Sequence, residues 1–120
     1  KEIDQNLVKE VIKERVGSSF SSNLSIEDIV RKVSEVSRIP EKEIIGKSRK
    51  MEFVEARQIS MYLCRDIMET SLNNIGVYFG GRDHTTVMHA VKTINDKKLK
   101  DVRIKKMVES LKQELDFTFV

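Results

Sequence analysis

The stretch Gly80-Gly81-Arg82-Asp83-His84-Thr85-Thr86-Val87 decides the fold. Paired glycines end one helical pattern, and a polar cluster opens the next. Asp83 is placed as an N-cap, its carboxylate set to accept from the unpaired N–H groups of the first turn. Val87, Ala90, Val91 and Ile94 then recur at helical spacing, which predicts one core-facing stripe. Thr85, His89 and Lys92 lie on the opposite side. A helix whose exposed start carries Asp, His and Thr offers acceptors, donors and a methyl group, the groups that tell base edges apart in a major groove. The stretch therefore reads as the recognition helix of a helix-turn-helix, running from about His84 to Lys97.

Outward from this motif the pattern stays helical. Ser71 to Phe79 reads as the first helix of the motif, capped by Ser71, with Ile75 and Phe79 inward and Gly76 allowing close approach of the recognition helix. The amides of Leu72 and Asn73 at its start are suited to a phosphate. A long helix is expected from about Glu52 to Leu72, with Ala56, Ile59, Leu63 and Ile67 as its inner stripe and Cys64 and Met68 alongside. Gln58, Tyr62 and Arg65 line another of its faces. Gln58 and Arg65 are nearly eclipsed, as two groups on one phosphate track would be. The tetrapeptide Lys47-Ser48-Arg49-Lys50 is a basic loop; alone it reads equally as a minor-groove cation or as an exposed turn.

Ser25 and Asp28 form a capping box for a helix to Ser37, with Ile26, Ile29, Val30, Val33 and Val36 inward. Pro40 opens a short turn of helix through Ile45 that Gly46 closes. After the motif, Val102 to about Phe117 reads as a last helix with Ile104, Val108, Leu111 and Leu115 inward, and Phe117 and Phe119 stapling the tail. At the other end, Ile3, Leu7, Val8, Val11, Ile12 and Val16 make an amphipathic stripe. Gly17 stops it, and Ser18 to Asn23 is a polar linker. The stripe packs either on this domain or on an upstream one. The chain opens on Lys1 in what reads as mid-helix, as expected of a piece of a longer protein.

Composition agrees with an all-α globular domain. The 120 residues are 39% hydrophobic and 34% charged, with a single Pro and no internal repeat. The net charge is only +3 and the pI about 9.0, so distribution matters more than total. Arg82, Lys92, Lys97, Lys98, Lys100, Arg103, Lys105 and Lys106 face only Asp83, Asp96 and Asp101 over that span, while acids gather at Glu27, Asp28, Glu35, Glu41 and Glu43. Such segregation suits a polyanion on one face, or solvated helix surfaces. One cysteine excludes an internal disulfide and fits a reducing, cytoplasmic setting.

Other chemistries fit poorly. His84 and His89 stand about 140° apart around a helix and do not form an i, i+4 metal pair. No P-loop pattern occurs. Asp83, His84 and Thr85 are consecutive and point in different directions, which is no relay. No enzymatic activity and no bound cofactor are expected of this chain.

The run Ile75-Gly76-Val77-Tyr78-Phe79-Gly80-Gly81-Arg82-Asp83-His84-Thr85-Thr86-Val87, followed by His89 and Ala90, resembles the signature of domain IV, the C-terminal DNA-binding domain, of the DnaA family of bacterial replication initiators. Arg57-Gln58-Ile59-Ser60-Met61-Tyr62-Leu63 is similar to the family's stretch on the preceding long helix. The likeness spans roughly Leu24 to Leu115, and Ile3 to Glu14 looks like the end of the family's ATPase lid and its connector helix. It divides the chain into residues 1–23, lid end, connector and linker, and 24–120, the DNA-binding domain.

The resemblance implies a Trp-repressor-like helix-turn-helix in an all-α bundle, behind an N-terminal linker helix. It implies recognition of double-stranded DNA at an asymmetric DnaA box, similar to TTATCCACA, in a replication origin. Asp83, His84 and Thr85 would meet bases in the major groove and Arg49 in the minor groove. Arg57, Gln58, Arg65, Arg82, Thr86, His89 and Lys92, with the amides of Leu72 and Asn73, would contact phosphate. ATP or ADP with Mg, and self-assembly on the origin, would belong to a domain outside this chain. Regulatory proteins are further partners to expect, and the amphipathic Ile3–Val16 stripe suits acidic phospholipids only weakly, because Glu2, Asp4, Glu10 and Glu14 offset its cations. The chain departs from the family at Met51, Glu52 and Glu55, where basic residues are common, and at Ala56 and Asn73, where Pro is common. The first three lower the positive charge beside the loop. Two rivals remain: a helix-turn-helix regulator at palindromic operators, and a helical protein-interaction module using the Ile3–Val16 stripe.

Overall fold

A computed structural model describes residues 24–119. The helix expected over Lys1–Val16, the linker after it and the side chains of Phe117 and Phe119 lie outside what is described. Among the described residues the chain is all-α, six helices with no strand: α1 (Ile26–Ser37), α2 (Glu41–Ile45), α3 (Met51–Met68), α4 (Leu72–Tyr78), α5 (His84–Lys100) and α6 (Val102–Phe119). None of them is long and apolar enough to cross a membrane.

Local chemistry sets most boundaries. Ser25 caps α1 through a full capping box: its hydroxyl accepts from the Asp28 N–H at 3.2 Å, and Asp28 accepts from the Ser25 N–H at 3.0 Å. A cap of this kind stabilises a helix by about 1 kcal/mol. Ile29, Val30 and Val33 are buried as the stripe requires, but Val36, expected inward, is 37% exposed. Gly46 closes α2, its N–H bonded to the Lys42 carbonyl.

α3 is the centre of the domain and touches each of the other five helices. Ala56, Ile59, Leu63 and Cys64 are buried as expected, and so are Arg57, Ser60, Met61 and Tyr62 on its other sides. The shared face expected of Gln58, Tyr62 and Arg65 is corrected at Tyr62: its ring is covered by the lysines of α5 and α6, with Lys98 Nζ 5.0 Å and Lys112 Nζ 5.7 Å from its centroid. Burial pushes the Cys64 thiol up to about 12, as expected of an inert core residue.

The length expected for α3 is corrected too. It stops at Met68, where Glu69 takes a left-handed conformation (φ 56°) and Arg65 donates to the Thr70 carbonyl at 3.0 Å. Leu72 belongs to α4, which Ser71 caps through the Asn74 N–H. In α6, Ile104, Val108, Leu111 and Leu115 are all fully or almost fully buried. Burying each such side chain is worth about 1.5–3 kcal/mol, enough to dock the last helix on α1, α3 and α5.

Candidate nucleic-acid interface

The turn between α4 and α5 is built by its glycines. Gly80 and Gly81 both sit at positive φ, 82° and 76°, which side chains other than glycine's rarely accept. Gly76 lies where α4 meets the residue before the recognition helix: its carbonyl accepts the Arg82 N–H at 2.9 Å, and a β-carbon there would overlap the Arg82 carbonyl oxygen. The close approach expected at Gly76 is therefore real, and its partner is the backbone of the turn, with Val87 just beyond.

Asp83 then caps α5. Its carboxylate accepts the Thr86 N–H at 3.0 Å and the Thr86 hydroxyl at 3.2 Å. The bond from the Thr86 N–H holds the Asp83 carboxyl below the usual aspartate range, so it is charged at neutral pH. Val87, Ala90 and Ile94 are buried beneath the helix, while Asp83, His84, Thr85, Thr86 and His89 are exposed above it. The first turn of α5 is thus a polar tip fixed from below by apolar packing. Both of these bonds go to one oxygen of the carboxylate, Oδ1, and Asp83 itself is exposed.

Two shallow concavities flank the tip. One, of about 260 Å³, lies between α3 and α5 and brings together Arg57, Gln58, Arg82, Thr86 and His89 beside Val54, Met61 and Ala90. The other, of about 350 Å³, lies between the basic loop and the turn and gathers Lys47, Ser48, Arg49, Arg57, Gly80, Gly81 and Arg82 with Val54. Arg49 itself is exposed. The remaining candidates stand apart from both. Arg65 and the start of α4, with Leu72 and Asn73, sit at the α3–α4 junction. Lys92 is exposed one turn beyond His89 and pairs with Asp96 at 3.3 Å.

Arg57 and Arg82 are not simple surface cations. Arg57 is only 6% exposed, and it donates through Nε to the Ile44 carbonyl at 2.7 Å and through Nη2 to the Glu43 carbonyl at 2.9 Å. Arg82 donates to the carbonyls of Ile45 at 3.2 Å, Gly46 at 2.8 Å and Phe79. Sequence reasoning missed this role. The available signal was position: Arg57 lies three and seven residues before Ser60 and Cys64, on a side of α3 with no charged neighbour at that spacing. The basic stretch after Lys92 is also less free than its composition suggests, because Glu55 of α3 pairs with Arg103 at 3.0 Å and with Lys97 at 3.8 Å.

This arrangement has known counterparts. The family described as "Bacterial dnaA protein helix-turn-helix" matches residues 26–94. The chromosomal replication initiator protein DnaA of Ruegeria pomeroyi is 41% identical over 116 residues, 97% of this chain and 25% of that protein. The protein of the same name from Lactococcus lactis subsp. cremoris is 44% identical over 93 residues, 78% of this chain and 20% of its own length. Among solved structures, one titled as a crystal structure of a DNA replication initiation factor superposes with a TM-score of 0.71 at 29% identity, over 89% of this chain and 32% of that one. The chain thus spans about a quarter of the curated relatives it matches. With the family match running from the start of α1 through α4, the glycine turn and α5 as far as Ile94, more than half of the chain, the chain belongs to the bacterial DnaA helix-turn-helix family.

Proposed function

We propose that this chain binds double-stranded DNA sequence-specifically at DnaA boxes, as the DNA-binding part of an initiator of chromosomal replication. The observation that carries the reading is the exposed first turn of α5, with Asp83, His84 and Thr85 projecting from a helix whose underside is buried. Asp83 suits a cytosine amino group, His84 a donor or acceptor on a base edge, and the Thr85 methyl a thymine methyl. Arg49 on the exposed loop enters the adjoining minor groove. Gln58, Thr86 and His89 supply a phosphate track along the α3–α5 concavity, with Arg57 and Arg82 as positive charge at its floor. Lys92 extends that track along α5. Arg65 and the Leu72 and Asn73 amides serve a second phosphate position, since the first N–H groups of a helix precede any in-helix acceptor. Residues 1–23 join this domain, from 24 onward, to an upstream ATPase that binds ATP or ADP with Mg, self-assembles on the origin and meets regulatory proteins. The setting is the cytoplasm, on the nucleoid, and acidic phospholipids at residues 1–16 are a further, weak contact.

Phosphate contacts supply most of the affinity and the α5 tip supplies the choice. His84→Ala is expected to reduce discrimination between a TTATCCACA duplex and a scrambled one by roughly 1–3 kcal/mol, read by fluorescence anisotropy. If the variant keeps the parent's ratio of affinities, base reading by this residue is wrong. Lys92→Ala tests the other class of contact. It is expected to weaken both duplexes alike and to flatten the dependence of log K on log salt by about 0.9. An unchanged slope removes Lys92 from the track and leaves it as the partner of Asp96 alone.

A further inference from the structure

The last four carbonyls of a helix have no partner within it, and α2 is so short that these groups are most of the helix. Those of Glu43 and Ile44 are taken by Arg57, and those of Ile45 and Gly46 by Arg82. Four consecutive carbonyls are thus held by two guanidinium groups, one from the central helix and one from the turn that precedes the recognition helix. The basic loop begins at the next residue, Lys47. Gly80 completes the joint: a β-carbon there would stand 3.4 Å from Arg82 Nη1 and 3.6 Å from the Ile45 carbonyl oxygen. The Arg82 side chain therefore crosses from the motif's turn to the root of the loop.

We propose that Arg57 and Arg82 are positioning residues that lock the basic loop to the helix-turn-helix, so that Arg49 is held at a fixed offset from the Asp83–Thr85 tip. This rests on the DNA-binding reading above and adds a role distinct from phosphate contact. A guanidinium is planar and presents several N–H groups in a fixed fork, so it bridges neighbouring carbonyls. An ammonium keeps the charge and cannot hold the same pair. Lysine at either position therefore separates charge from geometry.

The experiment uses the whole chain and anisotropy titrations on a box duplex, a set of single base-pair substitutions in and beside the box, and a scrambled duplex, at one salt concentration. Arg49→Ala identifies the base pairs whose substitution the loop senses, and His84→Ala those sensed by α5. A lost base-pair contact is worth roughly 5–150-fold in affinity. Arg82→Lys is expected to flatten the profile at the Arg49 positions and to leave the His84 positions intact. In the double variant it is expected to add less than about twofold to the loss from Arg49→Ala, since coupled residues are non-additive. An Arg82→Lys variant that weakens every duplex equally and multiplies with Arg49→Ala makes Arg82 a phosphate contact and overturns the proposal. Circular dichroism checks folding. If Arg82→Lys unfolds, Arg57→Lys is read by the same two criteria; if both unfold, the pair is a determinant of the fold and not a link to the loop, and the proposal fails. A parent chain that binds box and scrambled duplex alike defeats the functional reading itself and takes this inference with it. That result is separate from additivity in a parent that discriminates.

Discussion

Phe79→Ala is expected to destabilise the domain by about 3–5 kcal/mol, the usual range for removing a buried phenylalanine ring. Phe79 is completely buried and is the largest of the fully buried side chains. It sits at the end of α4, where the chain leaves the first helix of the motif for the turn. Tyr78 meets it edge-on, with centroids 5.4 Å apart and planes at 72°, an arrangement worth something beyond area alone. Its backbone carbonyl also accepts from Arg82, so the surroundings are tied in place and collapse poorly around a void. A domain of this size has about 5–15 kcal/mol of stability in total, so about a fifth or more is at stake. Urea unfolding is expected to show a lower midpoint with an unchanged slope. DNA binding is then lost in proportion to the unfolded fraction, with the box-to-scramble ratio kept in the molecules that remain folded. A shift below about 1 kcal/mol means that the turn is not anchored by this ring.

How much of the domain is legible in its residues depends on the range of the interactions involved. The α1 capping box, the α6 stripe and the cap at Asp83 are local: each signal lies within a few residues of the atoms it organises, and each has its expected place. The exposed tip is legible for the same reason, since a buried stripe on α5 dictates which residues face away. The end of α3 is not legible. The chain stops there by placing Glu69 in a left-handed turn, with no glycine or proline to announce it. Nor are the roles of Arg57, Tyr62 and Arg82. Apart from the Phe79 carbonyl beside Arg82, their partners lie 13 to 50 residues away, and only packing brings them together. The same holds for Glu55, which neutralises Arg103 from 48 residues away. Where long-range contacts decide, an arginine that reads as a phosphate ligand is also a brace for the backbone.

Gly76→Ala sets two effects of opposite sign against each other. In an isolated helix the change is favourable, by about 1 kcal/mol, and Gly76 lies inside α4. In the folded domain the new methyl carbon overlaps the Arg82 carbonyl oxygen and stands 3.0 Å from its carbonyl carbon. Both are backbone atoms of the residue that leads into the recognition helix, so no rotamer change relieves the clash. The Arg82 N–H also bonds to the Gly76 carbonyl, which ties the two segments at that separation. Overpacking a tight core typically costs 1–3 kcal/mol, and a backbone-on-backbone overlap belongs at the upper end or above. Sterics therefore outweigh propensity. The variant is expected to lose at least about 2 kcal/mol of stability net of the helix gain. It is also expected to lose box discrimination beyond its loss of affinity for scrambled DNA, because moving Arg82 shifts Asp83 to Thr85 relative to the loop and α3. Urea unfolding and paired titrations measure the two effects. A variant stabilised by the propensity value, with discrimination intact, means that α4 and the turn separate freely and that the tip is not held where the domain places it.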